Sequence, residues 1–149
     1  DFSWFETALA MAAMMTAGAL AQPWMGKISD GIGRRPLIIL GNALACGAAI
    51  IAWAFSSVAI TLVALGVAMT ALVAIRAVLQ AAAVDHAGNR EGTSLGLTFA
   101  FMDGFAATAA VLAGLAGESD LANAFLLASG FSLIAVVLAL TLPKKQHVG

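Results

Sequence analysis

The segment GKISDGIGRRP, residues 26–36, joins two long apolar runs and is the most informative part of the chain. Gly33 permits a tight reversal with a positive φ, and Pro36 suits the first turn of a following helix. Gly26 would let a neighbouring helix approach closely. Asp30 could face the positive N-terminus of another helix. Residue types alone leave an ordinary charged turn between two spans as an equally good interpretation.

The composition around this segment excludes most soluble proteins. Of the 149 residues, 62% are apolar and 10% are charged, against about 25% charged residues in a typical soluble protein. A soluble domain of this size could not cover so much apolar surface. The net charge of −1 offers no basic field for nucleic acid, and one cysteine excludes an internal disulfide framework. We therefore expect a membrane protein in contact with lipid, with no nucleic-acid partner.

Five apolar segments are long enough to cross a bilayer as helices, which takes about 20 residues each. Helix is the suitable structure, because an unpaired backbone group in lipid costs several kcal/mol. The third segment is longer than a bilayer needs, so we expect it to tilt. The predicted fold is an all-α membrane protein with five transmembrane helices. The predicted spans are 4–25, 36–55, 58–84, 94–116 and 122–142, followed by a cytoplasmic tail over 143–149.

Charged residues in the connections predict the orientation of these helices. Under alternating topology one side carries all the basic residues of the connections, namely Lys27, Arg34, Arg35, Arg90, Lys144 and Lys145. The other side carries acidic residues and no Lys or Arg, namely Asp1, Glu6, Glu118 and Asp120. The positive-inside rule makes the basic side cytoplasmic. We therefore expect a protein of the plasma (inner) membrane with a cytoplasmic C-terminus.

The spacing Gly-x-x-x-Asp-x-x-Gly-Arg-Arg-Pro resembles the signature cytoplasmic loop of the major facilitator superfamily of transporters. Gly31 departs from that family, which commonly has a basic residue there, and this weakens the inference of a charge network around Asp30. A second stretch, DHAGNREGTSLG at 85–96, is similar to the link between the fourth and fifth helices of a family half. The resemblance implies a partial six-helix bundle with a cytoplasmic gate motif. The gate residues it implies are Gly26, Asp30, Gly33, Arg34 and Arg35.

The resemblance also implies that the chain is part of a longer transporter. Each half of the family has six helices, and this chain matches the last five of a half. The fifth span runs into Leu142-Pro143-Lys144-Lys145, which looks like the end of a transporter. We therefore expect helices eight to twelve, with the missing N-terminal half as a partner. The alternative is helices two to six of the first half.

Two charged residues lie inside the predicted spans. Arg76 is in the third span, with Gln80 one turn further on the same face, and Asp103 is in the fourth. A charge at such depth costs at least about 2.5–3.5 kcal/mol unless it has a partner or a water-filled cavity. Arg76 either lines the pathway, where it could hold an anionic substrate, or pairs with Asp103 or with a carboxylate of the missing half.

Asp103 also has two interpretations. It shares a helix face with small residues, namely Gly96, Ala100, Ala107, Ala110 and Gly114. Such a stripe usually marks close helix packing, which favours an aspartate bonded to a neighbouring backbone or to Arg76. The alternative is a carboxylate that carries protons. Arg76, Gln80 and Asp103 are therefore the candidates for the substrate or proton pathway.

The function implied by the resemblance is secondary active transport of a small molecule, a drug or metabolite, by alternating access with proton coupling. No enzyme activity, cofactor or metal is expected: His86 and His147 are too far apart in sequence to form a metal site. No glycine loop for a nucleotide follows a strand. The alternatives are a non-transporting membrane assembly or scaffold protein with a similar loop, and facilitated diffusion without protons.

Overall fold

The computed structural model describes residues 3–55 and 57–142, which form helices joined by short turns. The helices are α1 (Trp4–Ile32), α2 (Arg34–Ala54), α3 (Val58–Ala74), α4 (Arg76–Asp85), α5 (Glu91–Gly117) and α6 (Leu121–Leu140). Because α3 and α4 follow each other along one span, the described residues contain five helical spans long and apolar enough to cross a membrane. This confirms the predicted all-α membrane fold. The predicted tail over 143–149 lies outside the described residues.

The first helix is longer than the apolar run that predicts it. α1 ends at Ile32 rather than near Met25. Hydropathy falls at Lys27, whereas backbone hydrogen bonding continues until Gly33, whose φ is 95°. That conformation suits glycine and stops the helix. The Gly33 N–H donates to the Ser29 carbonyl at 2.9 Å. Because α2 begins at Arg34, the connection that the sequence predicts as a loop is a single residue long.

The third span is interrupted at Ile75, which the sequence does not predict. Ile75 has φ −79° and ψ −7°, and its N–H donates to the carbonyls of Ala71 and Val73. The Val73 carbonyl also accepts a hydrogen bond from the Gln22 side chain of α1, with 3.0 Å between Nε2 and O. A side chain that enters the helical hydrogen-bond ladder is a known cause of a break. We therefore attribute the interruption to contact between helices.

α2 lies at the centre of the bundle and packs mainly against α6 and α3. Small residues let these helices approach closely. The tightest point is Gly41, where an added Cβ would lie 2.5 Å from the Cγ2 of Ile75. The buried residues of α2 are Leu37, Ile38, Gly41, Asn42, Ala45, Ala48, Ala49 and Ala52.

A second close contact joins α1 to α3. A Cβ at Gly18 would lie 2.6 Å from the Cβ of Val73 and 3.0 Å from the carbonyl oxygen of Thr70. Gly18 and Gln22 are four residues apart and share this face. Gly26, which the sequence predicts as a point of close helix approach, has no such contact among the described residues, since a Cβ there meets no described atom within 4 Å. Each step of four residues along a helix overshoots a full turn by about 40°. Gly26 lies two such steps beyond Gly18, so it is rotated about 80° away from the face that contacts α3.

α5 is the most open helix, and none of its residues is buried among those described. The small-residue stripe around Asp103 was predicted to pack closely, and within the described chain this is wrong. A Cβ at Gly96 or Gly114 would meet no described atom within 4 Å. The neighbours of α5 are α6 and α4. The half-buried positions of α5 are Ser94, Leu95, Thr98, Met102, Ala109, Ala113, Ala116 and Gly117, none of which belongs to the stripe.

Candidate functional site

The turn between α1 and α2 carries an ion-pair network centred on Arg34. Its Nη1 lies 2.5 Å from Asp30 Oδ1, and its Nε lies 3.0 Å from Asp85 Oδ2. Nη1 also donates to the Ser29 hydroxyl, which in turn donates to the Gly26 carbonyl at 2.6 Å. One guanidinium therefore ties the end of α1 and the start of α2 to the end of α4. We call this end of the bundle the Arg34 end, and the opposite end the Glu118 end.

Arginine suits this position because its guanidinium is a planar fork with five donors. The Arg34 side chain is 24% exposed, and its two carboxylate partners are more exposed still. Exposed ion pairs contribute about 0.2–1 kcal/mol each. Ser29, by contrast, is buried, so its bond to Arg34 is shielded from water. The network therefore fixes geometry more than it adds stability.

The network corrects the expectation about charges around Asp30, and it adds Asp85 to the predicted site residues. Because Gly31 lacks the basic side chain of the family pattern, a charge network around Asp30 had weak support. The structure has one nonetheless, since Arg34 supplies the charge from the next helix. Asp85 was not among the predicted site residues. A signal was present, because Asp85 begins the 85–96 stretch and alternating topology places that stretch on the same side as Arg34.

The other residues of the predicted gate motif have different surroundings. Gly33 makes the reversal between the helices, with its φ of 95°, and Gly26 takes part through its carbonyl. Arg35 is half-buried beside the network and makes no ion pair with any described residue. Of the five residues in the motif, the structure therefore brings Asp30 and Arg34 into direct contact and places the others around them.

The two charged residues inside the spans face each other. Arg76 opens α4, just after the break, and its Nη2 lies 3.8 Å from Asp103 Oδ1 on α5. That separation is too long for a hydrogen bond, so the contact is a loose ion pair. Gln80 lies one turn beyond Arg76 and is half-buried. Asp103 is about 18 Å along α5 from its start, at ~1.5 Å per residue.

Both charges are open to the surface of the described chain. The Arg76 side chain is 40% exposed and that of Asp103 is 77% exposed. A charge at the centre of a span does not face hydrocarbon without a large cost, at least about 2.5–3.5 kcal/mol. We therefore expect the exposed face of α5 at Asp103 to contact water, or polar groups that lie outside the described residues.

Other reactive side chains do not gather into a site in the part of the chain that the structure describes. No group of three or more His, Cys, Asp or Glu residues could hold a metal ion within 3–55 and 57–142. Cys46 is half-buried, with its Sγ 3.5 Å from the Ser129 carbonyl oxygen. His86 lies at the end of α4, with its Nδ1 2.8 Å from the Ala82 carbonyl oxygen.

The fold and its intramembrane charges define an integral membrane protein of the polytopic helical class. The family model of the Major Facilitator Superfamily matches residues 1–149, and the chain therefore belongs to this family of transporters. The resemblance drawn from the Gly26–Pro36 segment is thus confirmed. No curated protein and no solved structure gives a match to the chain.

Proposed function

We propose that the chain is part of a secondary active transporter that moves a small molecule, a drug or metabolite, by alternating access coupled to protons. Membership of the family supports transport in general. The observation that carries the finer proposal is the open pair of Arg76 and Asp103, two opposite charges inside adjacent spans. Charges in this setting mark ion or substrate pathways more often than packing contacts.

In this proposal the pair is the coupling element. While Asp103 is ionised, it neutralises Arg76 at 3.8 Å. When Asp103 takes up a proton, Arg76 loses its counter-charge and becomes available to an anionic group of the substrate. Gln80, one turn along α4, adds an uncharged donor and acceptor beside it. The looseness of the pair supports this exchange, because a contact longer than a hydrogen bond is less costly to separate.

A double-mutant cycle in the complete transporter tests the pair. We expect Arg76→Met and Asp103→Leu each to lower transport at least about tenfold, equivalent to about 1.4 kcal/mol. If the charges interact, the double variant loses less thermal stability than the two single losses added together. Thr108→Val is the matched control, since it removes a polar group from another side of α5. Normal transport in both single variants would refute the proposed pathway.

We further propose that the Arg34 end is a cytoplasmic gate. The network holds α1, α2 and α4 together there, and the Asp30 side chain is 68% exposed, so it can reach a helix of the missing N-terminal half. A helix N-terminus attracts a carboxylate by about 0.3–1 kcal/mol. In the closed gate, the contact between the Asp30 carboxylate and that helix N-terminus adds to the Arg34 network. Loss of the network then opens the Arg34 end.

The orientation proposed with the gate has its own test. Single cysteines replace Asn89 at the Arg34 end or Ser119 at the Glu118 end, in a background without other cysteines and with Cys46→Ala. An impermeant thiol reagent applied to intact cells is expected to label position 119 and to spare position 89, because basic connections stay in the cytoplasm. Labelling of position 89 with sparing of 119 would reverse the proposed topology.

A further inference from the structure

A cavity of about 400 Å³ lies at the Glu118 end, between the end of α2 and the starts of α3 and α6. The aromatic side chains of Trp53, Phe55 and Phe125 form part of its wall. Thr61 and Asp120 are the polar residues in a lining that is otherwise aliphatic or aromatic. The cavity thus offers an apolar body with one carboxylate and one hydroxyl, which suits an amphiphile with a polar head.

The cavity lies at the level where the spans leave the membrane. α2 ends at Ala54, α3 begins at Val58 and α6 begins at Leu121. Trp53 is 48% exposed at this level, as expected for an aromatic residue at the membrane–water boundary. An occupant would therefore have its head near water and its chain among lipid tails. Membrane phospholipids have this shape and this depth.

Charge at the Glu118 end selects among phospholipid headgroups. The described acidic residues there are Glu6, Glu118 and Asp120, and no described Lys or Arg lies at this end. An anionic headgroup would therefore find no cation near the cavity. An ammonium group would meet the Asp120 carboxylate and the aromatic walls, which attract cations through their faces.

Asp120 is held in place by the fold. It precedes α6, and its Oδ1 accepts a hydrogen bond from the Ala122 N–H at 2.9 Å. This N-cap fixes the direction of the carboxylate, while the partial positive charge of the helix N-terminus offsets some of its charge. The affinity for a cationic headgroup should therefore exceed the affinity for other headgroups by a small factor.

We propose that this cavity binds a membrane phospholipid with an ammonium headgroup, its nitrogen at Asp120 and its upper chain against the aromatic wall. Phospholipids without a cationic nitrogen bind there more weakly. The site is at the opposite end of the bundle from the Arg34 network. It does not depend on the proposed transport cycle.

Quenching of Trp53 fluorescence tests the proposal in the intact protein, with every other tryptophan replaced by phenylalanine. Brominated phosphatidylethanolamine and phosphatidylcholine carry the ammonium group, and brominated phosphatidylglycerol lacks it. We expect Trp53 to be quenched at about threefold lower amounts of the ammonium lipids, the size of effect typical of an exposed ion pair.

Two variants separate the Asp120 charge from its structural role. Asp120→Asn removes the charge but keeps a good N-cap, and we expect it to abolish the headgroup preference without lowering the helical circular dichroism. Glu118→Gln removes the same charge at a neighbouring position that does not line the cavity, and the preference should persist. The proposal is overturned by equal quenching from all headgroups, by a preference that survives Asp120→Asn, or by no quenching from any lipid.

Discussion

α2 and α5 are both spanning helices rich in glycine and alanine, yet α2 is the buried centre of the bundle and α5 has no buried residue among those described. Their neighbours account for the difference. α2 contacts four other helices, α1, α3, α4 and α6, whereas α5 contacts α4 and α6. Small residues permit close packing but do not attract a partner by themselves. A small-residue stripe therefore shows where a helix can pack, and the tertiary structure decides whether it does.

The two helices also differ in where they carry charge. The charged residues of α2 are at its first turn, where Arg34 joins the network. α5 has Asp103 near its centre, 77% exposed and 3.8 Å from Arg76. α2 thus carries no charge beyond its first turn, where its one buried polar side chain, Asn42, donates to the Ile38 carbonyl at 2.8 Å, and the open helix carries the intramembrane carboxylate. This contrast supports a structural role for α2 and a pathway role for the open face of α5.

The largest expected effect comes from filling the tight point of α2. A Cβ at Gly41 would lie 2.5 Å from the Cγ2 of Ile75, which is branched and cannot swing away. We expect Gly41→Ala to cost about 1–3 kcal/mol of stability, as overpacking does. Thermal unfolding in detergent measures the loss.

Two controls make this a comparison between the helices. Gly47 in α2 and Gly104 in α5 each have open space where a Cβ would be built. Alanine at either position should be neutral or slightly stabilising, because glycine weakens a helix interior by roughly 0.5–1 kcal/mol. Equal stability of the Gly41→Ala and Gly47→Ala variants would show that the contact with Ile75 is not tight.

The next effect concerns the Arg34 end, where Arg34 of α2 forms an ion pair with Asp85 of α4. Arg34→Met removes both ion pairs and the bond to the buried Ser29 hydroxyl. We expect a loss of about 1–2 kcal/mol, since hydrogen bonds to charged groups contribute about 1.5–3 kcal/mol and exposed pairs less. Unfolding measurements give the loss of stability, and cysteine cross-linking across the Arg34 end of the complete transporter tests whether the proposed gate opens.

Lys27→Met is the matched control at the same end of the bundle, because Lys27 is not part of the predicted gate motif and makes no ion pair with the described residues. It should change stability and cross-linking little. If the two variants behave alike, general loss of a positive charge, rather than the Asp30–Arg34–Asp85 network, holds this end together.

The smallest effect separates two half-buried glutamines, Gln22, whose side chain is hydrogen-bonded to a neighbouring helix, and Gln80, whose side chain has no hydrogen bond to a described residue. Gln22 donates to the Val73 carbonyl at 3.0 Å and so braces the break before Arg76. Gln22→Leu should cost about 0.6 kcal/mol, the average for a polar contact between membrane helices. Gln80→Leu should leave stability unchanged and lower transport. Thermal stability and transport assays on both variants provide the check, and a larger stability loss in Gln80→Leu than in Gln22→Leu would contradict the structural role of Gln22.

The sequence predicted those features that depend on neighbouring residues, namely the spans, the reversal between the first two helices and the family motif. Apolar length predicted the five spans, because the membrane imposes the same requirement on every helix. The reversal at Gly33 and the helical turn at Pro36 were predicted too, since these residues restrict their own φ. The family followed from the Gly26–Pro36 spacing. Each of these depends on residues close together in sequence.

The tertiary structure decided which distant residues meet. Among the described residues, Gly18 and Gly41 are points of close helix approach and Gly26 is not. The third span is interrupted where Gln22 reaches it, and Arg34 takes Asp85 as a second partner. Each depends on the rotation and height of one helix relative to another, and small errors in the 3.6-residue period accumulate over a span. Sequence therefore determined that five spans form and that the chain reverses at Gly33, whereas contact between helices decided which faces are closed and which charges remain open.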